Sequence, residues 1–105
     1  MIPLPPAATL SDIQRYVADM EKERGFADRG VIAQCLLLGE EVGELFKAVR
    51  KSEDLSVGTT SIVGTVDEEL ADIMIFVCAV ANRYGIDLNT ALRRKEEHNE
   101  QREWA

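Results

Sequence analysis

The sequence predicts an all-α protein, a single domain of four helices in a bundle that association with further copies completes. Three observations carry this reading. Apolar residues recur at steps of three and four in four separate segments, the period of one helix face. Capping residues and glycines stand at the segment ends. The third segment is apolar around most of its circumference between Leu70 and Ala81, so it must be covered on several sides. With 105 residues the chain is one domain, 1–105, of limited core volume.

Residues 1–8, MIPLPPAA, are irregular, because each proline removes a backbone donor and restricts the residue before it. Helix one runs from Leu10 to Arg24 with Ile13, Tyr16, Val17 and Met20 on its apolar face. Thr9 or Ser11 caps its start, and Gly25 follows its last turn. Phe26 sits in the connector GFADRG, either as plain core or as a ring reaching over a pocket. Helix two spans 28–51, and its stripe is Val31, Cys35, Leu38, Val42, Leu45 and Val49. Gly39 and Gly43 inside it each cost about 1 kcal/mol relative to alanine. That cost implies close approach of another backbone, or room beside a ligand. Lys47, Arg50 and Lys51 suit the negative end of the helix dipole.

Residues 52–64 lose periodicity and read as a mobile loop. Thr65 and Glu68 then form a Thr-x-x-Glu capping box for helix three, which runs to Arg83 with the stripe Val66, Leu70, Ile73, Val77 and Val80. Asp87 caps helix four, 88–103. Its stripe opens with Leu88, Ala91 and Leu92 and continues in phase as Lys95, Asn99 and Arg102. The face thus turns from apolar to cationic and hydrogen-bonding, which suits phosphate oxygens; the plain alternative is a solvated terminus.

A formal charge of −7 argues against binding a nucleic-acid polymer or an anionic membrane surface, both of which need basic excess. The longest strongly apolar run, 73–81, is too short to span a bilayer. Cys35 and Cys78 lie in apolar runs without zinc-like spacing and read as buried free thiols in a reducing cytoplasm. No secretory pattern opens the chain, so the expected location is cytoplasmic.

Two acidic clusters carry the chemistry. Glu41 and Glu44 share one helical face, as do Glu69 and Asp72, and each pair lies on the shoulder of its apolar stripe. If helices two and three pack antiparallel, four carboxylates face one another beside the core. Like charges placed there need protonation or a cation. An all-oxygen donor set favours Mg²⁺, Mn²⁺ or Ca²⁺ over zinc. Glu40 points further round its helix. No nucleophilic triad is available, since His98 is the only histidine. A di-iron bundle would need two Glu-x-x-His motifs, and His98 supplies none.

Glu40-Glu41-x-x-Glu44 followed by Glu69-x-x-Asp72 resembles the EExxE…ExxD motif of the all-α nucleoside triphosphate pyrophosphohydrolases, in particular the MazG-like branch. GEEVGEL, EELADIMIFV and Lys95-x-x-x-Asn99 resemble that branch too, so the similarity covers residues 10–104. The resemblance implies four-helix subunits assembled as homodimers or homotetramers. It implies Mg²⁺ on Glu41, Glu44, Glu69 and Asp72, with Glu40 orienting or deprotonating the attacking water. It implies hydrolysis of a nucleoside triphosphate between the α and β phosphates, with Lys95 and Asn99, joined by Arg102, on phosphate oxygens. Phe26 stands near a position where many relatives carry tryptophan and is a candidate for base stacking. The alternatives are a phosphoribosyl-ATP or dUTPase-like enzyme of the same superfamily, or a helical interaction protein that keeps the acids without turnover.

Overall fold

The computed structural model describes residues 3–58 and 62–102. Among the described residues there are four helices: α1 (Leu10–Arg24), α2 (Val31–Ser52), α3 (Val66–Arg83) and α4 (Leu88–Glu100). No strand occurs among the described residues. Helix α1 begins at a complete capping box. The Thr9 hydroxyl accepts from the Asp12 amide at 3.1 Å, while the Thr9 amide donates to Asp12 Oδ2 at 3.0 Å. This settles the choice between Thr9 and Ser11. The helix ends at Gly25, whose φ of 79° is the left-handed conformation that glycine adopts without a Cβ penalty.

Helix α2 starts later than the sequence predicts, at Val31 rather than residue 28, with Gly30 as its N-cap. The physical reason is Arg83. Its guanidinium takes the carbonyl oxygens of Phe26 (3.2 Å) and Arg29 (2.8 Å), holding 26–29 as a turn rather than a first helical coil. At the other end α2 runs one residue past Lys51, into the segment expected to be loop. Residues 59–61 of that loop lie outside the described residues.

Helix α3 has Thr65 as N-cap, but the expected capping box is not formed. The Thr65 hydroxyl donates to Glu68 Oε1 at 2.8 Å instead of accepting from the helix backbone. Asp87 caps α4 as expected, accepting from the Asn89 amide at 3.1 Å. Helix α4 stops at Glu100, short of 103, with a turn at 101–102; its last two turns are largely exposed, so little packing holds them helical.

Helices α2 and α3 form an antiparallel hairpin. Val31 and Cys35 lie beside Val80 and Tyr84 at one end, and Ala48 and Lys51 lie beside Gly64 and Val66 at the other. Helix α1 packs against α3 through Val17, Met20, Cys78 and Ala79, ringed by Ile13, Tyr16, Ile75 and Leu88. Gln14, buried on α1, latches the turn into α4. Its amide donates to the Ile86 carbonyl and to Asn82 Oδ1, and its Oε1 accepts from the Leu88 amide. Helix α4 packs along α1.

The result is an open shape. The radius of gyration is 16.3 Å, against about 13 Å for a compact domain of this length. The accessible surface is 7873 Å², against roughly 5,900 Å² for a folded monomer of this mass. Much of the excess is apolar. Ile32, Leu36 and Phe46 on α2 and Leu70, Met74 and Val77 on α3 are all exposed. Cys35, expected to be buried, is exposed with them, while Cys78 is buried as expected. Gly39 and Gly43 have open space where a Cβ would project, so no neighbour within one chain explains them.

Candidate metal and nucleotide site

The faces that α2 and α3 turn toward each other differ in phase from the apolar stripes. On α2 the buried positions are Gln34 and Ala48, with Glu41 half-buried between them at seven-residue intervals. On α3, Glu69 and Ala79 are buried on the inward face, while Leu70 and Met74 look outward. Glu69 is buried and Glu41 and Glu44 are half-buried, so these acids lie beside the packed faces rather than on the solvent side. Of the apolar stripes, Val31, Leu38, Val42, Leu45, Val66, Ile73 and Val80 are half-buried, while Cys35, Val49, Leu70 and Val77 are exposed.

Glu41, Glu69 and Asp72 each offer a carboxylate oxygen, and these oxygens all lie within 4.8 Å of one another. Burial first, then a hydrogen bond with Glu69 and repulsion from Asp72, Glu69 and Glu44, push the Glu41 carboxyl from its usual 4.5 up to about 7. Such a group is poised between holding a proton and yielding it to a cation. The oxygen-only set and the near-neutral carboxyl together fit a hard divalent ion such as Mg²⁺ or Mn²⁺.

Glu44, one turn beyond Glu41, is near enough to repel it but pairs with Lys47 at 3.4 Å. Both partners are more than a third exposed, so this pair holds Glu44 only weakly. Glu40 is exposed. Lys95 is exposed on α4, Asn99 donates to Glu96 at 3.0 Å, and Arg102 lies in the following turn. Since α4 runs along α1, these three are not gathered with the acids as Glu41, Glu69 and Asp72 are.

A cavity of about 180 Å³ adjoins the acids and is lined by Asp72, Phe76, Phe26, Gln34, Glu21 and Arg29, among others. Phe26 is thus a pocket residue rather than plain core, with the Arg29 guanidinium 4.2 Å from its ring centre. Behind the cavity Glu21 is gripped by both terminal nitrogens of Arg83, one contact being 3.0 Å. Glu21 also accepts from the Gln34 amide at 3.2 Å.

Four of these participants were not singled out from the sequence. Glu21, Gln34 and Arg83 belong to no sequence motif; a phase taken from Glu41 places Gln34, and one taken from Asp72 places Arg83, on the same helix face as those acids. Gly64 is the fourth. A Cβ there would fall 2.4 Å from Glu69 Oε1, so the absence of a side chain lets that carboxylate occupy its place. Its position five residues before Glu69, at the end of the loop, was the available signal.

Comparison with known proteins agrees with this geometry. A family model described as the MazG nucleotide pyrophosphohydrolase domain matches residues 30–103. The dCTP pyrophosphatase 1 proteins of Rattus norvegicus and Mus musculus are each 33% identical over 102 residues, covering 92% of this chain. The chain spans 60% of the length of these curated relatives. Among solved structures, a MazG-like pyrophosphohydrolase of cyanophage S-2L superposes with a TM-score of 0.73 at 27% identity, over 96% of this chain and 87% of that one. It is bound to dGDP and three catalytic Mn²⁺ ions per active site. The iMazG protein of Vibrio DAT 722 superposes with a TM-score of 0.66 at 30% identity, over 89% of this chain and 99% of that one. The matched domain covers most of the chain and includes both acid-bearing helices, so this protein belongs to the MazG nucleotide pyrophosphohydrolase domain family.

Proposed function

We propose that this protein hydrolyses nucleoside triphosphates between the α and β phosphates, giving a monophosphate and pyrophosphate, and that it requires Mg²⁺, with Mn²⁺ as substitute. The observation that carries this reading is the convergence of Glu41, Glu69 and Asp72 at one end of a cavity lined by Phe26 and Phe76. Glu41, Glu69 and Asp72, with Glu44 beside them, would hold the ions. When bound, such ions supply positive charge against the phosphates and acidify water. The chain itself does the remaining work. Glu41 gives up its proton near neutral pH to complete the carboxylate set. Glu40 takes or orients a proton at the attacking water. Lys95, Asn99 and Arg102 are the proposed contacts to phosphate oxygens, and the two phenylalanines exclude water around the base.

The working unit in this proposal is a homodimer or homotetramer. Its support is the apolar surface that one chain leaves open on α2 and α3, with Gly39 and Gly43 on the same outward stripe as Leu36 and Phe46. Paired glycines between larger residues allow another helix to approach closely.

The test is a panel of nucleoside triphosphates incubated with Mg²⁺, assayed separately for pyrophosphate and for orthophosphate. Pyrophosphate released in equal amount with monophosphate, and lost in excess EDTA, is the expected result. Label from ¹⁸O-water appearing in the monophosphate locates the attack at the α-phosphorus. Release of orthophosphate alone, or full turnover in EDTA, would overturn the proposal. Failure with every nucleotide would leave the interaction-protein alternative.

A further inference from the structure

We propose that Arg83 is a positioning residue for the substrate, setting the Phe26–Arg29 wall of the cavity in register with the acids of α3. This rests on the reading of the cavity as the nucleotide pocket and adds a residue that acts without touching the nucleotide. A guanidinium has five N–H donors, and in Arg83 each has an acceptor. Nε donates to the Arg29 carbonyl at 2.8 Å, while Nη1 donates to the Ala79 carbonyl at 2.9 Å and to Glu21 Oε1 at 3.0 Å. Nη2 donates to Glu21 Oε2 and to the Phe26 carbonyl, the latter at 3.2 Å. One planar group thus joins α1, α3 and both ends of the turn between α1 and α2. The Arg83 side chain is 15% exposed and that of Glu21 6%, so these charge-assisted bonds are largely shielded from water.

Apart from Arg83, the backbone of the turn is held by the Arg29 amide on the Phe26 carbonyl at 3.1 Å and the Phe26 amide on the Glu21 carbonyl at 2.7 Å. Gly25 and Gly30 flank it, so neither end carries a side chain that could pack it down. Both polar groups of the Phe26 backbone are tied, the carbonyl in part by Arg83, and this fixes where the ring leaves the chain. The ring lines the cavity with the Arg29 guanidinium 4.2 Å from its centre. Without Arg83 the turn keeps its bonds to the end of α1 and loses its tie to α3.

That tie carries the register. Arg83 lies about three helical turns beyond Asp72 on the same face of α3, roughly 16 Å along the axis. The clamp therefore references the Phe26 ring to the helix that bears Glu69 and Asp72. A substrate held through metal at the acids and against the cavity wall at its other end needs the two in fixed relation. A wall already in place requires no ordering on binding, whereas a loose one must be ordered equally in the ground state and the transition state. Loss of the clamp then raises KM and leaves kcat.

The test is a double-variant cycle with Phe26, run on whichever triphosphate the protein turns over best. Arg83→Lys keeps the charge beside Glu21 and loses the fork that reaches both carbonyls. It should raise KM about ten-fold with kcat within about two-fold, and Mn²⁺ affinity without nucleotide should stay that of the wild type. Phe26→Ala should raise KM as well. In that background Arg83→Lys should add less than about two-fold, because the residue through which it acts is gone. A purely structural Arg83 would instead give effects that add, or a loss spread over kcat and metal binding. Should Arg83→Lys fold poorly, Glu21→Gln, of the same shape without the charge, enters the same cycle. An unchanged KM in the folded variant, or a full effect persisting beside Phe26→Ala, overturns the assignment. If wild type releases pyrophosphate from no nucleotide, the hydrolase reading fails. The same cycle, read calorimetrically as dissociation constants of dATP, dCTP, dGTP and dTTP with Mn²⁺, then still decides the role of Arg83, and absence of binding to the wild type would overturn that role too.

Discussion

Because Glu41 is desolvated and hydrogen-bonded to Glu69, its carboxyl titrates near 7 rather than 4.5, and this couples stability to pH with a definite sign. The folded state holds that proton more tightly than the unfolded chain does. The resulting stabilisation is fully present below about 4.5 and is lost as pH rises through about 7. In a chelating buffer the thermal midpoint should therefore fall between pH 5 and pH 8, and Glu41→Gln should flatten that slope. Saturating Mn²⁺ at pH 8 should raise the midpoint again, since the ion takes the deprotonated acids. Scanning fluorimetry that gave the same slope for both proteins would contradict this account of Glu41. At the same scale, Asp72→Ala should abolish pyrophosphate release while leaving far-ultraviolet circular dichroism intact, because it removes a like charge along with a ligand. Lys95→Ala should lower kcat/KM about ten- to a hundred-fold if its amine meets a phosphate oxygen, with Lys95→Arg recovering part of it. Full efficiency in the alanine variant would mean that Lys95 is simply solvated, as its exposure within one chain allows.

At the scale of elements, the loop ahead of α3 is part of the site through Gly64. Alanine at that position would displace the Glu69 carboxylate from 2.4 Å contact with the new Cβ, so Gly64→Ala should weaken Mn²⁺ binding several-fold by calorimetry at little cost in helicity. Unchanged metal affinity would show that Glu69 can shift without consequence. Arg83 has a different role, tying α3 to α1 through Glu21 and to the α1–α2 turn through the carbonyls of Phe26 and Arg29. Removing one partner of a buried pair leaves the other charge uncompensated, so Arg83→Met should cost about 3–5 kcal/mol in urea unfolding. The same contacts explain why helix boundaries were only partly legible. Thr9, Gly25 and Asp87 act locally, and their roles follow from spacing. The late start of α2 depends on an arginine more than fifty residues away in sequence, which no local pattern encodes.

For the whole molecule, the acids were found in sequence but their depth was not. Periodicity identifies the most apolar face, and that face was taken to be the interior. In one chain that face is divided: Val31, Leu38, Val42 and Leu45 of α2 are half-buried, Cys35, Val49, Leu70 and Val77 are exposed, and Glu69 and Gln34 are buried. A small domain that places carboxylates between two helices leaves part of its apolar stripe outside, and that surface is then available for association. Sedimentation at micromolar concentration should show a dimer or tetramer. Leu36→Glu should shift the distribution toward smaller species and lower activity in parallel. A stable, fully active monomer would refute assembly as the purpose of these stripes.

Cys35 gives this surface a built-in chemical reporter. Its thiol is exposed in one chain and lies in a groove lined by Ile32, Leu36, Val80 and Tyr84, whereas Cys78 is sealed in the core. A thiol-specific chromogenic reagent added to the native protein should therefore titrate one cysteine per chain, and should do so faster as the protein is diluted. The dependence of that rate on concentration would yield the dissociation constant of the assembly without a label or a mutation. Denaturant would then release the second thiol, calibrating the first within the same cuvette.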